Sequence, residues 1–537
     1  MSEGQAFLSS NRKEFALRLR IRLHFWQSIL MGLSFLILLV RPVQAEQSVF
    51  WEKDPFPKKL FAEAVPLSQF VQSEVATSCT LSFAEADEQD LFAEVVYVLA
   101  AAYPVNQEGL SLRLLKLLWQ GQPTSSVNQL VMDAETYRVF KGLWGQPDRS
   151  IVSIHPAADL LVFAWENPSS RAILPFNKLE PRWKVLSIDG QSPYRIGFSP
   201  EKYPLTVRWR VTSASDAVCK TDATLKNYDT SCLTTLTLTG TTALVRRLAY
   251  AIEEKGVAYP VEGIAPILSA SDITHVSNEA SFFDGCPPGI PLRREARFCS
   301  LPSYLGVLEK IGTDVVELTG NHNLDWGSDA YLSSLELFRQ HGFYTYGGGA
   351  NAAAAEEPLF IENNGNHIAL LGCNAVGPET ALAQVDSPGA ARCNLEKLKE
   401  TVTNLQQEDW LCVITFQHFE YDDYAVPPVE SHDFLALAEL GPAVISGSQA
   451  HIPQGFTFVD DTFIHYGLGN LLFDQTSPIE RDSFFDRHYF YEGRYLGNYL
   501  ETIRLEESMQ VRFLNALERD TLMSTILSTC SWNRVFQ

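Results

Sequence analysis

Residues 319–327 read Thr319-Gly320-Asn321-His322-Asn323-Leu324-Asp325-Trp326-Gly327. The preceding run, Thr313 to Leu318, has the composition of a buried strand. Ser328 to Gln340 has the periodicity of a helix, with Ser328 as its cap. A Gly-Asn-His turn at the carboxyl end of a strand puts an amide and an imidazole into the crevice above a sheet, where open α/β folds hold ligands. An amide oxygen binds hard cations, and an imidazole binds metal or moves a proton. Asn321 and His322 are therefore candidate catalytic groups, and Asp325 is placed to brace the turn.

Outward from this turn, strands and helices alternate from Leu233 onward. Strands are expected at Leu233 to Thr239, Ile273 to Ser277, Ile368 to Gly372, Leu411 to Phe416, Ala443 to Ser446 and Phe463 to Tyr466. Helices are expected at Thr241 to Lys255 (stopped by Gly256), Pro302 to Ile311, and Asn394 to Gln406 with Asn394 as cap. This alternation predicts a layered α/β domain. Polar groups recur where the strands end: Thr241, Glu279, Asn321 with His322, His418 with Glu420 and Tyr421, Ser448 with His451, and Asn470. Chemistry in such folds sits at strand ends.

The chain has 537 residues, too many for one core, and a net charge of -22. That charge argues against nucleic acid and anionic membrane as partners. Residues 1–45 carry Arg12, Lys13, Arg18, Arg20 and Arg22, then the apolar run Ile29 to Val40, then Val43-Gln44-Ala45. This is the order of a signal peptide, with a membrane anchor as the alternative. Export to the periplasm or beyond follows, with membrane contact only through this segment. All nine cysteines lie beyond Ala45. In an exported chain, close spacing suggests Cys219 with Cys232, Cys286 with Cys299, and Cys373 with Cys393.

Residues 46–230 form a separate α/β region. It has a helical pattern at Ser111 to Trp119, an extended run at Ile151 to Ile154, and further elements from Ala172 to Asp189. Leu117 to Gly121 with Met132-Asp133-Ala134 is similar to solute-binding domains of the periplasmic type, although ordinary core elements explain the same residues. Ser213 to Ser231 is polar and reads as a linker. Residues 231–510 are the second domain, and 511–537 a helical tail.

Leu233 to Ile503 resembles the CapA-type family of poly-γ-glutamate capsule proteins, a branch of the calcineurin-like metallophosphatase superfamily. The resemblance is carried by Glu317 to Gly327, Val444 to Gly455 and Ile464 to Gln475. The last of these reads Ile-His-Tyr-Gly-Leu-Gly-Asn-Leu-Leu-Phe-Asp-Gln, close to the family's Y-S-L-G-N-F-x-F-D. It implies a four-layer αββα sandwich and a site for two divalent metals. By position, Glu279, Asn321 and His451 match metal ligands, with His418 as a further donor. His322 matches the group that protonates the leaving atom. Arg246, Glu420, Tyr421, Ser448 and Asn470 are expected on the substrate side.

Three ligand positions depart from the family pattern. Thr241 stands for the Asp of the Gly-Asp motif, Phe416 for the histidine of H-W-G-x-E-Y, and Ser448 for the first histidine of the G-H-x-H-like motif. Fewer anionic and imidazole donors mean weaker binding of Mn, Mg, Fe or Zn. This leaves one metal, or a metal-free site. The resemblance implies an exported protein that handles an anionic polymer such as poly-γ-glutamate, or a small anionic substrate. It does so either as a metal-dependent hydrolase of phosphoesters or γ-glutamyl amides, or as a non-catalytic binder of polymer or of envelope-assembly partners.

Overall fold

The computed structural model describes residues 49–50, 56–61, 79–85, 91–213, 224–291 and 296–536. The expected leader, Cys219 and the middle of the expected linker lie outside these residues. Among the described residues no helix is long and apolar enough to cross a membrane.

The described strands between Val49 and Ser213, with Leu225–Lys226, build one sheet. Its core is Ala93–Ala102, whose burial on both faces matches its continuous apolar sequence. Gln129–Met132 lies between Val152–Ile154 and Ser170–Pro175, parallel to both. Ser111 caps the helix Leu112–Trp119, and Asp133 caps Ala134–Trp144.

From Leu233 the chain makes two larger sheets. In the first, Leu233–Thr239, Ile273–Asn278, Val315–Glu317 and Tyr344–Tyr346 run parallel. The long hairpin Asp482–Tyr491 and Arg494–Glu506 extends this sheet antiparallel to Leu233–Thr239. In the second, Asn366–Asn374, Leu411–Gln417, Val444–Ser448 and Thr462–His465 run parallel. Leu236, Leu238, Ile273 and Val315 of the first sheet share one buried cluster with Ile368, Val413, Val444 and Phe463 of the second. The two sheets therefore face each other. The far side of the first is covered by helices Arg246–Lys255, Leu305–Lys310 and Ser328–Gln340. The far side of the second is covered by Leu395–Gln407 and Pro428–Ala438. This is the four-layer αββα sandwich.

Several details depart from the sequence reading. Thr241–Thr242 is a short strand between Ile273–Asn278 and Asn470–Leu472, and its helix begins only at Arg246. Gly327, at φ +85°, occupies the cap position of the next helix, and Ser328 is that helix's first residue. Cys286–Cys299 and Cys373–Cys393 are bridged as expected. Cys232 is a free thiol, and its expected partner Cys219 lies outside the described residues. Cys232 packs against the hydrophobic core of the N-terminal sheet.

That core continues into the sandwich. Tyr489 stacks on Tyr194 at 4.1 Å, and Tyr491 meets Phe176 at 5.2 Å. The hairpin thus serves both parts of the chain, burying its aromatic faces on each side.

Candidate functional site

The parallel strands of both sheets deliver their carboxyl ends to one rim. Glu279 follows Ile273–Asn278, Asn321 and His322 follow Val315–Glu317, Glu420 follows Leu411–Gln417, and His451 follows Val444–Ser448. Glycines let these loops close in. A Cβ at Gly320 would lie 3.0 Å from Glu279 Cα, and one at Gly447 would sit 1.7 Å from the Tyr466 carbonyl.

Glu279 is fully buried, and neither carboxylate oxygen has a hydrogen-bond partner. His322 Nε2 lies 3.9 Å from its Oε1, and His451 Nε2 lies 4.0 Å away. Glu420 Oε2 is 3.5 Å from the same His451 nitrogen. Donor atoms of Glu279, Glu420 and His451 all fall within 4.8 Å of one another. Asn321 Oδ1 is buried without a partner.

Each imidazole is aimed by a partner on its other nitrogen. His322 Nδ1 is 2.8 Å from Asp325 Oδ2, which also accepts the Phe298 N–H at 2.7 Å. His451 Nδ1 is 2.8 Å from Asn470 Oδ1. Both Nε2 atoms therefore turn toward Glu279. Phe298 lies 4.5 Å from His322, and Phe473 lies 5.0 Å from His451. The Arg246 guanidinium sits over both rings and is held by Asp474 at 2.6 Å.

These contacts set the charges. Burial raises the Glu279 pKa, against the pull of His451 and His322. Burial would lower His451, but Glu420, Glu279 and Asn470 outweigh it and push it up to about 9. His322 is likewise raised, because Asp325 and Glu279 outweigh burial. Burial would raise Glu420, yet His451, His322 and Asn321 hold it below the usual range.

Two expected roles change. His418 Nε2 lies 3.0 Å from Asp433 and the ring packs on Phe416, and His418 is not among the residues whose donor atoms gather at Glu279. Glu420, expected on the substrate side, instead joins that group. Ser448 is buried and hydrogen-bonds Thr319, Asn470 braces His451, and Tyr421 stands edge-on to Phe419 at 6.4 Å.

Beneath the rim lies a residue the sequence reading passed over. Glu317 is fully buried in the Val315–Glu317 strand. Ser277 donates to it at 2.5 Å, and the Thr319 hydroxyl also donates to it. Gln449 donates to Ser277 at 2.8 Å. Glu317 thus ties together the bases of the loops that carry Glu279, Asn321 and His451. Burial pushes its pKa up to about 7 despite these bonds. The signal available in sequence was a lone acid inside an apolar strand.

Residues 235–475 match the model of the family described as bacterial capsule synthesis protein PGA_cap. Over this region the chain is similar to the CapA family. The capsule biosynthesis protein CapA of Bacillus anthracis is 23% identical over 255 residues, covering 46% of this chain and 62% of the relative. The PGA biosynthesis protein CapA of Bacillus subtilis strain 168 is 24% identical over 238 residues, covering 43% and 61%. The match thus spans about three-fifths of the length of each CapA relative. Among solved structures, a 5'-nucleotidase precursor from Thermus thermophilus is similar at a TM-score of 0.32 and 13% identity, covering 55% of this chain and 58% of that one. That likeness adds nothing to the fold read from the sheets.

The residues present fit a divalent cation. A buried carboxylate without hydrogen bonds is costly unless a cation meets it. Two carboxylates, an imidazole and an amide oxygen are a suitable donor set for Mn, Mg, Fe or Zn. Thr241, which stands where the family pattern has an Asp, is buried and its hydroxyl has no partner.

Proposed function

We propose that this CapA-like protein is exported and processes an anionic capsule polymer such as poly-γ-glutamate, with one divalent cation at Glu279, Glu420, His451 and Asn321. The observation that carries the reading is the Glu279 carboxylate, buried, without hydrogen bonds, and faced by two imidazole nitrogens and a second carboxylate. Export is supported by the leader-like order of residues 1–45 and by two disulfides.

A bound cation supplies Lewis acidity toward a carbonyl or phosphoryl oxygen. The chain supplies the rest. His322, oriented by Asp325, presents a protonated Nε2 as general acid for the leaving group. Arg246 places a fixed positive charge beside Phe298 and Phe473, and Arg297 lies 4.1 Å over Trp326, which is close in sequence to the His322 turn. In a chain of charge -22 these cations locally favour an anionic substrate.

The test is elemental analysis of residues 46–537, followed by assays on model phosphoesters and γ-glutamyl amides. One equivalent of metal, with turnover lost in His322→Ala, supports the reading. Tight metal-free binding of γ-glutamyl oligomers with no turnover selects a non-catalytic binding role instead. The replacements Thr241, Phe416 and Ser448 are the observation that favours that second reading.

A further inference from the structure

We propose that the N-terminal sheet carries a second ligand site, for a small organic anion with an apolar body. Three features of the chain converge on it.

The first is topology. From the middle strand Gln129–Met132 the chain enters helix Ala134–Trp144 and returns on one side as Val152–Ile154. After helix Leu160–Glu166 it returns on the other side as Ser170–Pro175. The two successive crossovers thus run in opposite directions across the sheet, and such a reversal opens a crevice at the carboxyl ends, where α/β sheets hold ligands.

The second is space. At those carboxyl ends lies a cavity of about 820 Å³, lined by Leu60, Ile154 and Pro156 over the buried side chains of Leu160, Leu161, Leu174 and Trp183. That volume is in the range of small-molecule sites, and such a wall takes an apolar body out of water. Its lining comes wholly from residues 57–183, so no member of the Glu279 group takes part.

The third is charge. The carboxylates at this cavity already have partners. Asp133 accepts the N–H groups of Glu135 and Thr136 at 2.7 and 2.8 Å. Glu135 accepts the Lys59 backbone N–H at 3.1 Å and lies 3.8 Å from Arg138. Glu180 is 3.3 Å from Arg182. Lys59 and Lys178 are also on the lining, and among the described residues their ammonium groups form no ion pair with a carboxylate. Two such cations beside an apolar wall recognise a carboxylate or phosphate head on a hydrophobic body.

Calorimetry and saturation-transfer NMR on the full chain test this, with 4-phenylbutyrate, phenyl phosphate and the neutral 4-phenylbutan-1-ol as probes. At least one anion saturates the protein, and the alcohol binds about tenfold more weakly or worse. Whichever anion binds more tightly identifies the head group. The double variant Lys59→Glu/Lys178→Glu weakens the anion by about tenfold or more. Ile154→Trp, at a partly exposed position on the cavity lining, abolishes binding by filling the space. Metal content stays unchanged in both variants. Saturation by neither anion below about 10 mM overturns the proposal. So does an alcohol as tight as the anions, or binding that survives both variants.

Discussion

The Thr319 hydroxyl lies 3.0 Å from the Ser448 hydroxyl, joining the carboxyl end of a strand in one sheet to that of a strand in the other. Just beyond them stand groups of the candidate site: Asn321, two residues after Thr319, and His451, three after Ser448. Ser448 therefore has a structural task where the family pattern has a histidine. The two sheets are joined here by the hydroxyl pair, and Thr319 is in turn held by Glu317.

This arrangement makes Glu317 a positioning residue. Glu317→Ala leaves Ser277 and Thr319 without their buried acceptor, at a cost of about 2–3 kcal/mol. It also lowers cation affinity by about 10- to 100-fold through the loosened loops. Glu317→Gln restores most of the stability. Thermal unfolding and metal titration on the same samples check both outcomes. Unchanged metal affinity in Glu317→Ala would remove the positioning role.

Glu279→Gln separates stability from function. The neutral amide relieves a buried, unpaired carboxylate, so the metal-free variant unfolds at a higher temperature than the metal-free parent, by about 1–3 kcal/mol of stability. Cation binding falls by about 100-fold or more, because an anionic donor is lost. A variant less stable than the parent in the presence of chelator contradicts this account of Glu279.

Asp325 holds the His322 pKa above its ordinary value. Asp325→Asn removes that charge and lets burial dominate, so the His322 pKa drops by about one unit or more. NMR titration of the His322 ring reads this directly. If turnover is found, its alkaline limb moves to lower pH in the same variant, and His322→Ala loses about 10²- to 10⁴-fold in rate. An unshifted His322 titration rules out the Asp325 contact as the cause.

Two buried acids set a pH dependence of stability. Burial pushes Glu430 up to about 8 and Glu317 up to about 7. Between the ordinary glutamate value, about 4.3, and these values the folded chain keeps protons that the unfolded chain has released. The unfolded state then binds fewer protons, so stability falls as pH rises. The contribution of Glu430 is full below about pH 4 and is lost progressively up to about pH 8, at about 1.4 kcal/mol per pH unit. Denaturant unfolding of the parent minus Glu430→Gln, measured from about pH 4 to about pH 9, should slope in that direction. A flat difference contradicts the burial assigned to Glu430.

Most strand ends were legible because apolar runs that stop at Gly and polar residues are local patterns. Asn394 as a helix cap and the bridges Cys286–Cys299 and Cys373–Cys393 were readable for the same reason. The start of the helix after Leu233–Thr239 was not. Thr241 and Thr242 have strand propensity, and they are held by Ser277 and Asn470, residues far along the chain.

By itself, the sequence determined the alternation of the main strands and helices after Leu233 and the Gly-Asn-His turn with Asp325 as its brace, since these depend on neighbours in the chain; that Asp325 pairs with the His322 ring was seen only in the structure. Only the tertiary structure decided that Glu420 rather than His418 joins Glu279 and His451. Those two residues lie two apart on an irregular segment, where no periodicity says which way a side chain points. The same holds for Glu317, whose partner Ser277 lies on the adjacent strand, and for the Thr319–Ser448 bridge, which spans 129 residues of sequence. Contacts of that separation leave no local pattern, because packing of two sheets creates them.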